Sequence, residues 1–357
     1  RLEGRGLRAG EVRLDRLAQE VTIAAGDGGA GDGAAVALTA AGTLAGLALP
    51  AGEATFAETL QLDAAATLTP GGPFTLDRLA LDGRSLALSA RADGDLGAGR
   101  VDAEAELRAP DLTTFRPFAA AVPEGSARLG LEAALADGFA RGTVDLAADG
   151  ETLAGLSPAA QALVGPAPTL RATARLAGAG APIALERLRL DGALFALTGE
   201  GRVDPTAGTG ALTADLDVPD LAPLGDALGQ PLAGTVAATL EAEGGADDLA
   251  AELRVEATPL AAAGQAFERI ALALTAAGDP SRLDGALDVV ATKPAGDVRL
   301  TSDYTLTGER VDLADLRLAA PGAALGGEVG LGLATLAVDG GLEGGSDDLA
   351  ALGRWLD

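Results

Sequence analysis

Cysteine, histidine, methionine and asparagine are all absent from this 357-residue chain. Their absence removes disulfides, thiolate and imidazole metal sites, cysteine nucleophiles and the serine–histidine pair, and any N-x-[ST] glycosylation acceptor. Aromatic residues are scarce at 3%, and Lys293 is the only lysine. Positive charge is scarce as well: 26 basic residues face 52 acidic ones, a net charge of −26. Such a chain does not track a nucleic-acid phosphate backbone, and it is not drawn to an anionic membrane surface. Carboxylates and hydroxyls are the main polar chemistry left. What the chain does have is 48% hydrophobic content with 22% charged residues, enough to build a core and too apolar for disorder.

No basic segment followed by an apolar stretch opens the chain, and it begins at Arg1, so it reads as a piece cut from a longer precursor. The longest uncharged stretch runs from Gly33 up to Glu53. Only Val36, Leu38, Leu44, Leu47 and Leu49 are strongly apolar in it, which argues against a membrane span.

Period two dominates. Val101, Ala103, Ala105 and Leu107 alternate with Asp102, Glu104, Glu106 and Arg108, which puts the apolar groups on one face of a strand and every charge on the other. The same alternation recurs at 127–133, 170–176, 212–218, 236–242, 251–255, 270–274, 287–291 and 298–306, about twenty strands in all. Asp82-Gly83, Asp149-Gly150, Asp191-Gly192 and Asp339-Gly340 are expected to be hairpin turns. Short helices are expected after Asp111 (with Phe115 and Phe118), Asp220 (with Leu224 and Leu228) and Asp348 (with Leu352, Trp355 and Leu356), each aspartate acting as an N-cap.

An internal repeat is visible. Pro73-Phe-Thr-Leu-Asp-Arg-Leu-Ala-Leu-Asp-Gly83 returns as Pro182-Ile-Ala-Leu-Glu-Arg-Leu-Arg-Leu-Asp-Gly192, a shift of 109 residues. The shift persists through Pro110-Asp-Leu112 and Pro219-Asp-Leu221, then through Leu131-Glu-Ala133 and Leu240-Glu-Ala242. Glu243-Gly-Gly-Ala-Asp-Asp-Leu-Ala250 also returns as Glu343-Gly-Gly-Ser-Asp-Asp-Leu-Ala350. The expected organisation is one continuous β-repeat array over 1–357, a fragment of a longer chain, with related units near 73–181 and 182–290. At about 4.8 Å per strand the array would run about 95 Å, long and narrow.

Catalysis has little to stand on. Gly26-Asp-Gly-Gly-Ala-Gly31 satisfies G-x-G-x-x-G, but strand-like alternation follows it where a phosphate site needs a helix. It is also far short of a calcium-binding nonapeptide array. No carboxylate pair stands out as a glycosidase would require. No catalytic residue, cofactor or metal is expected, and the chain is read as no enzyme.

The informative feature is the apolar face, which few helical stretches are available to cover. Its candidate lining is Leu79, Leu81, Leu86, Leu88, Leu107, Leu129 and Leu131 in the first part of the chain. Leu188, Leu190, Leu197, Leu216, Leu240, Leu253, Ile270, Leu272 and Leu274 continue it. Such a smooth aliphatic surface suits acyl chains. Period two equally fits a flattened sandwich whose walls pack on each other.

The cycle L-x-x-L-x-L-D-G, alternating strands, P-D-L with a short helix, then G-x-[LV]-x-x-x-L-E-A resembles the periplasmic repeats of the TamB family and the broader AsmA-like group of bacterial envelope proteins. Val218-Pro-Asp-Leu-Ala-Pro-Leu-Gly-Asp-Ala-Leu-Gly-Gln-Pro-Leu-Ala-Gly234 carries the resemblance best. It implies an all-β, elongated, mostly antiparallel sheet curved into a groove, the β-taco, with a few capping helices. It also implies a protein of the Gram-negative periplasm, anchored in the inner membrane through an N-terminal part and meeting an outer-membrane barrel of the TamA type through a C-terminal part, both missing here. The implied role is a bridge that carries phospholipid between the membranes. A chaperone-like scaffold for outer-membrane protein assembly and an extracellular packed β-repeat adhesin with carboxylate-bound calcium are the alternatives.

Overall fold

The structure is a computed structural model that describes residues 2–9, 12–25, 35–48, 55–116, 122–262, 264–279, 281–333 and 337–356. The Gly26–Gly31 motif and Phe118 lie outside the described residues. The fold is all-β: the described residues form 22 strands, three short α-helices and one 3-10 turn. No helix among the described residues is long and apolar enough to cross a membrane. Chain contacts divide it into two compact units, Arg1–Ser157 with Gly165–Glu186, and Pro158–Val164 with Arg187–Asp357. No shift in composition marks this division, although it falls near Pro182, where the repeat restarts.

The first unit holds β1 (Leu2–Ala9), β2 (Val12–Ala25), β3 (Val36–Ala48), β4 (Thr55–Leu68), β5 (Pro73–Asp82), β6 (Ala87–Asp95) and β7 (Arg100–Ala109). A 3-10 turn (Leu112–Phe115) then precedes β8 (Glu124–Ala136), β9 (Arg141–Ala154) and β10 (Thr169–Ala177). Each strand pairs antiparallel with the next, from β1–β2 to β9–β10. Strand β11 (Ile183–Asp191) carries the chain from one unit to the other.

The second unit takes helix α1 (Pro158–Val164), then β12 (Ala196–Asp204), β13 (Thr209–Val218), α2 (Ala222–Leu228), β14 (Leu232–Gly245), β15 (Leu249–Ala262), the short β16 (Gln265–Phe267) and β17 (Arg269–Asp279). It ends with β18 (Arg282–Lys293), β19 (Gly296–Thr307), β20 (Arg310–Ala320), β21 (Ala323–Gly332), β22 (Val338–Ser346) and α3 (Leu349–Leu356). Successive strands again pair antiparallel, with β17 on β15 and β16 folded against the end of β15. In each unit the sheet is open and does not close into a barrel.

The up-and-down order puts the helices of the second unit on one rim. α2 and α3 follow the upward strands β13 and β22, and α1 joins the same rim through Val164 O and Leu163 O, which accept the amides of Ala193 and Leu194. Asp111 caps the 3-10 turn, its Oδ1 accepting Thr113 N–H at 2.9 Å, and Asp348 caps α3 through the amides of Ala350 and Ala351 at 3.0 Å. These caps satisfy first-turn donors that the helix itself cannot.

Two expected turns are strands instead. Asp149-Gly150 lies inside β9, opposite the start of β10, and the chain turns only beyond Ala154. Asp339-Gly340 lies inside β22, opposite Gly330 and Val329. Gly340 sits at φ 146, and a Cβ there would stand 2.2 Å from Glu328 O, so this glycine serves close backbone approach within a ladder. Helix α1 has no counterpart among the expected helices, because it opens on Ser157-Pro158 and not on an aspartate.

Candidate functional site: an aliphatic sheet face

Cross-strand register assembles the alternating residues into rows. In the first unit one row runs Leu62, Leu81, Leu88, Leu107, Leu129, Ala148, Leu170, one residue per strand from β4 to β10. The next runs Ala64, Leu79, Ala90, Ala105, Leu131, Leu146, Ala172. A bulge at Asp77-Arg78 is what lets Leu76 and Leu79, three positions apart, enter neighbouring rows of one face.

In the second unit a row runs Leu197, Leu216, Ala238, Val255, Leu272, Val289, Leu300, Leu318, Leu325 from β12 to β21. Beside it stand Leu240, Leu253, Leu274 and Leu287. Ile270 sits one row toward the rim, between Ala257 and Ala291. Leu188 and Leu190 lie on β11, and Leu86 lies in the turn before β6, where its carbonyl accepts Gly83 N–H at 2.8 Å.

These side chains are not packed away. Leu129 and Leu131 are exposed, at 37% and 39%, and the other fourteen expected lining residues are all half-buried. Among the described residues the buried apolar set is Leu60, Ala109, Val218, Leu221, Ala257 and Leu316. The register adds Leu62, Leu146, Leu170, Leu287, Val289, Leu300, Leu318 and Leu325 to the lining. Leu170, Leu287, Val289 and Leu300 lie in alternating runs visible in the sequence, but which positions stand beside one another was not.

Two polar groups on this face are satisfied internally. Ser302, opposite Leu287, is buried at a bulge and donates to Ala314 O at 2.8 Å. Tyr304 lies over Gly285 and donates to Thr275 O at 2.9 Å, and burial pushes its phenol pKa up.

The opposite face is a carpet of charge. Arg91 pairs with Glu104, both exposed, and the exposed Arg254 and Arg299 pair with the half-buried Glu252 and Asp288. Glu106 accepts hydrogen bonds from Arg108 and lies 3.1 Å from Arg128, which together hold its pKa below the ordinary carboxylate range. Directly opposed like charges also occur, as at Asp93 and Asp102 or Glu241 and Glu252.

Three shallow depressions outlined by the described residues open on this acidic face. The one in the first unit, of 540 Å³, has Ala134 and Thr143 in its floor and Arg91, Asp93, Asp102, Glu104 and Glu132 around it. A depression of 750 Å³ in the second unit sits among Thr213, Glu241, Glu252, Asp284 and Asp303. Small residues between long charged ones account for these hollows. Their walls carry ionised groups that would have to shed water to admit an apolar chain. Among the described residues no group of three or more carboxylates is placed to hold a metal ion.

Comparison with protein-family models, curated proteins and solved structures finds no match in any of the three.

Proposed function

We propose that the chain is a segment of a lipid-transfer bridge in the periplasm of a Gram-negative bacterium. Phospholipid acyl chains would lie along the aliphatic face while their head groups stay in water. The observation that carries this reading is the set of aliphatic rows, continuous across seven strands of the first unit and nine of the second, whose leucines are half-buried or exposed. A face of this kind gains about 25 cal/mol for each Å² of apolar area that an acyl chain removes from water. Ala between Leu along the rows leaves few bulky obstacles to sliding, and the absence of charge on them means no step requires desolvating an ion. The acidic face would keep the flank from adhering to anionic bilayers. The similarity of the sequence cycle to TamB and AsmA-like repeats supports the same reading, and with it the missing membrane anchor and barrel partner.

A photoactivatable phospholipid tests it. Leu272→Asp and Leu131→Asp place a charge among the rows, where it still reaches water, so melting by circular dichroism should change little while acyl labelling falls strongly. Thr143→Asp, on the acidic face, should leave labelling as it is. Undiminished labelling in the folded leucine variants would remove the proposal's support, and loss of cooperative melting in both would indicate a packed core in place of an open face.

A further inference from the structure

One side chain interrupts the aliphatic face of the second unit. Tyr304 is the sole tyrosine of the chain and the only aromatic residue on β12–β15 and β17–β21. Register places it in a row that runs Ala251, Ala276, Gly285, Tyr304, Leu313, Val329 from β15 to β21, beside Leu274 and Leu287.

The ring lies along this row. A Cβ on Gly285 would stand 2.7 Å from Tyr304 Cε1 and 2.8 Å from Cζ, so the ring covers β18, and the hydroxyl reaches β17, where it donates to Thr275 O at 2.9 Å. The same Cβ would stand 1.8 Å from Thr275 O. Glycine at 285 is what lets the ring and the carbonyl meet over β18.

The backbone that carries Tyr304 is shaped beside it. A bulge in β20 sets Ala314 opposite Asp303 and Arg317 opposite Thr301, with Asp315 at φ 49, in the left-handed region that favours glycine. The buried Ser302 donates into the bulge, to Ala314 O at 2.8 Å. Bulges re-aim the side chains next to them, and a strained residue persists only where its surroundings hold it. Tyr304 itself is half-buried, so its ring keeps contact with water and can turn outward without first unpacking a core.

We propose that Tyr304 is a gate on the acyl path: with its hydroxyl on Thr275 O the ring bars its row between Ala276 and Leu313, and an acyl chain lies across Gly285 only when the ring turns away. This inference rests on the lipid reading and adds to it the residue that decides where along the face a chain can pass. What displaces the ring is apolar, because the row offers it aliphatic groups and no charge. An acyl chain brings no donor for Thr275 O, so the phenol hydroxyl sets how strongly the closed position is favoured.

A photoactivatable phospholipid cross-linked to the intact protein, with labelled positions read residue by residue in a mass spectrometer, tests the gate. In the parent, labelling at Gly285 should be weak against that at Leu272, two rows away. Tyr304→Phe keeps the ring and removes its latch, so the ratio should rise by about fivefold, the population change that one neutral hydrogen bond supports. Tyr304→Ala removes the bar and should raise the ratio further. Melting of the Phe variant should stay close to the parent's. Equal ratios in the parent and the Phe variant would overturn the gate and leave the lipid reading standing, whereas absence of labelling at Leu272 in the parent would overturn both. Nitration of the unaltered protein reads the same event without a variant, since the chain has one tyrosine. Phospholipid should speed it as the displaced phenol meets water, and an unchanged or slower rate would overturn the proposal.

Discussion

Gly192 shows why the repeated Leu-Asp-Gly ends in glycine. Its backbone is not in the left-handed region, but a Cβ would stand 2.7 Å from Leu163 O and 2.5 Å from Phe195 Cε1. Gly83, its counterpart, would meet Leu60 Cδ2 at 2.4 Å, and Leu60 is 1% exposed. Space, not turn conformation, dictates the residue. Gly192→Ala should therefore destabilise by about 1–3 kcal/mol, read as a lower midpoint in urea. Charge acts through a different residue. Glu106 titrates below its unfolded value, so its contribution is fully present above the ordinary carboxylate range and is lost as pH falls through its folded pKa. Glu106→Gln should melt below the parent at neutral pH and converge with it under acid conditions, a difference visible in melting curves taken across pH 2 to 7, about the span in which carboxylates titrate.

Among the elements, α3 is anchored at its C-terminal end by Lys293, beside the bond from Trp355 Nε1–H to Gly296 O. Lys293 is 7% exposed; its ammonium hydrogen-bonds Gln265 and the Trp355 carbonyl, and it lies 5.3 Å and 4.7 Å from the rings of Phe267 and Trp355. A cation near the last carbonyls of a helix and over two aromatic faces stabilises both contacts. Lys293→Met keeps the stem and removes the charge, and should release α3. The emission of Trp355, the sole tryptophan, is expected to shift to the red before the sheet melts. This cluster was not legible in the sequence, because Lys293 and Trp355 are 62 positions apart and nothing local pairs them. The strands were legible, since the alternation from Val101 to Arg108 fixes both faces at once, and so were α2 and α3 with an aspartate in front, whereas the helix expected after Asp111 is a 3-10 turn over Leu112–Phe115. The Asp-Gly pairs at 149–150 and 339–340 misled because glycine also serves close approach within a ladder, a need created by the partner strand. The aliphatic rows needed register, which depends on bulges such as that at Asp77-Arg78 that no periodicity announces.

For the molecule as a whole, a short inventory of buried residues has a thermodynamic signature. The described apolar core comprises six residues, and the leucines of the rows keep part of their contact with water. Unfolding then exposes less new apolar area per residue than in an ordinary domain. Scanning calorimetry should give a heat capacity change below the usual value of about 12–15 cal/mol/K per residue. A value at or above that range would mean that the rows are covered in solution.

Within each unit, the antiparallel pairing of strands in sequence order, which only the short β16 interrupts, also governs how such a chain can change length over evolutionary time. Inserting or excising one strand would reverse the direction of every later one in its unit and move its rim helix to the opposite edge. Two strands, such as β6 with β7, can be gained or lost together without disturbing direction, facing or rim. Growth therefore comes in even steps, and the 109-residue echo between Pro73 and Pro182 is the kind of duplication that this parity rule permits.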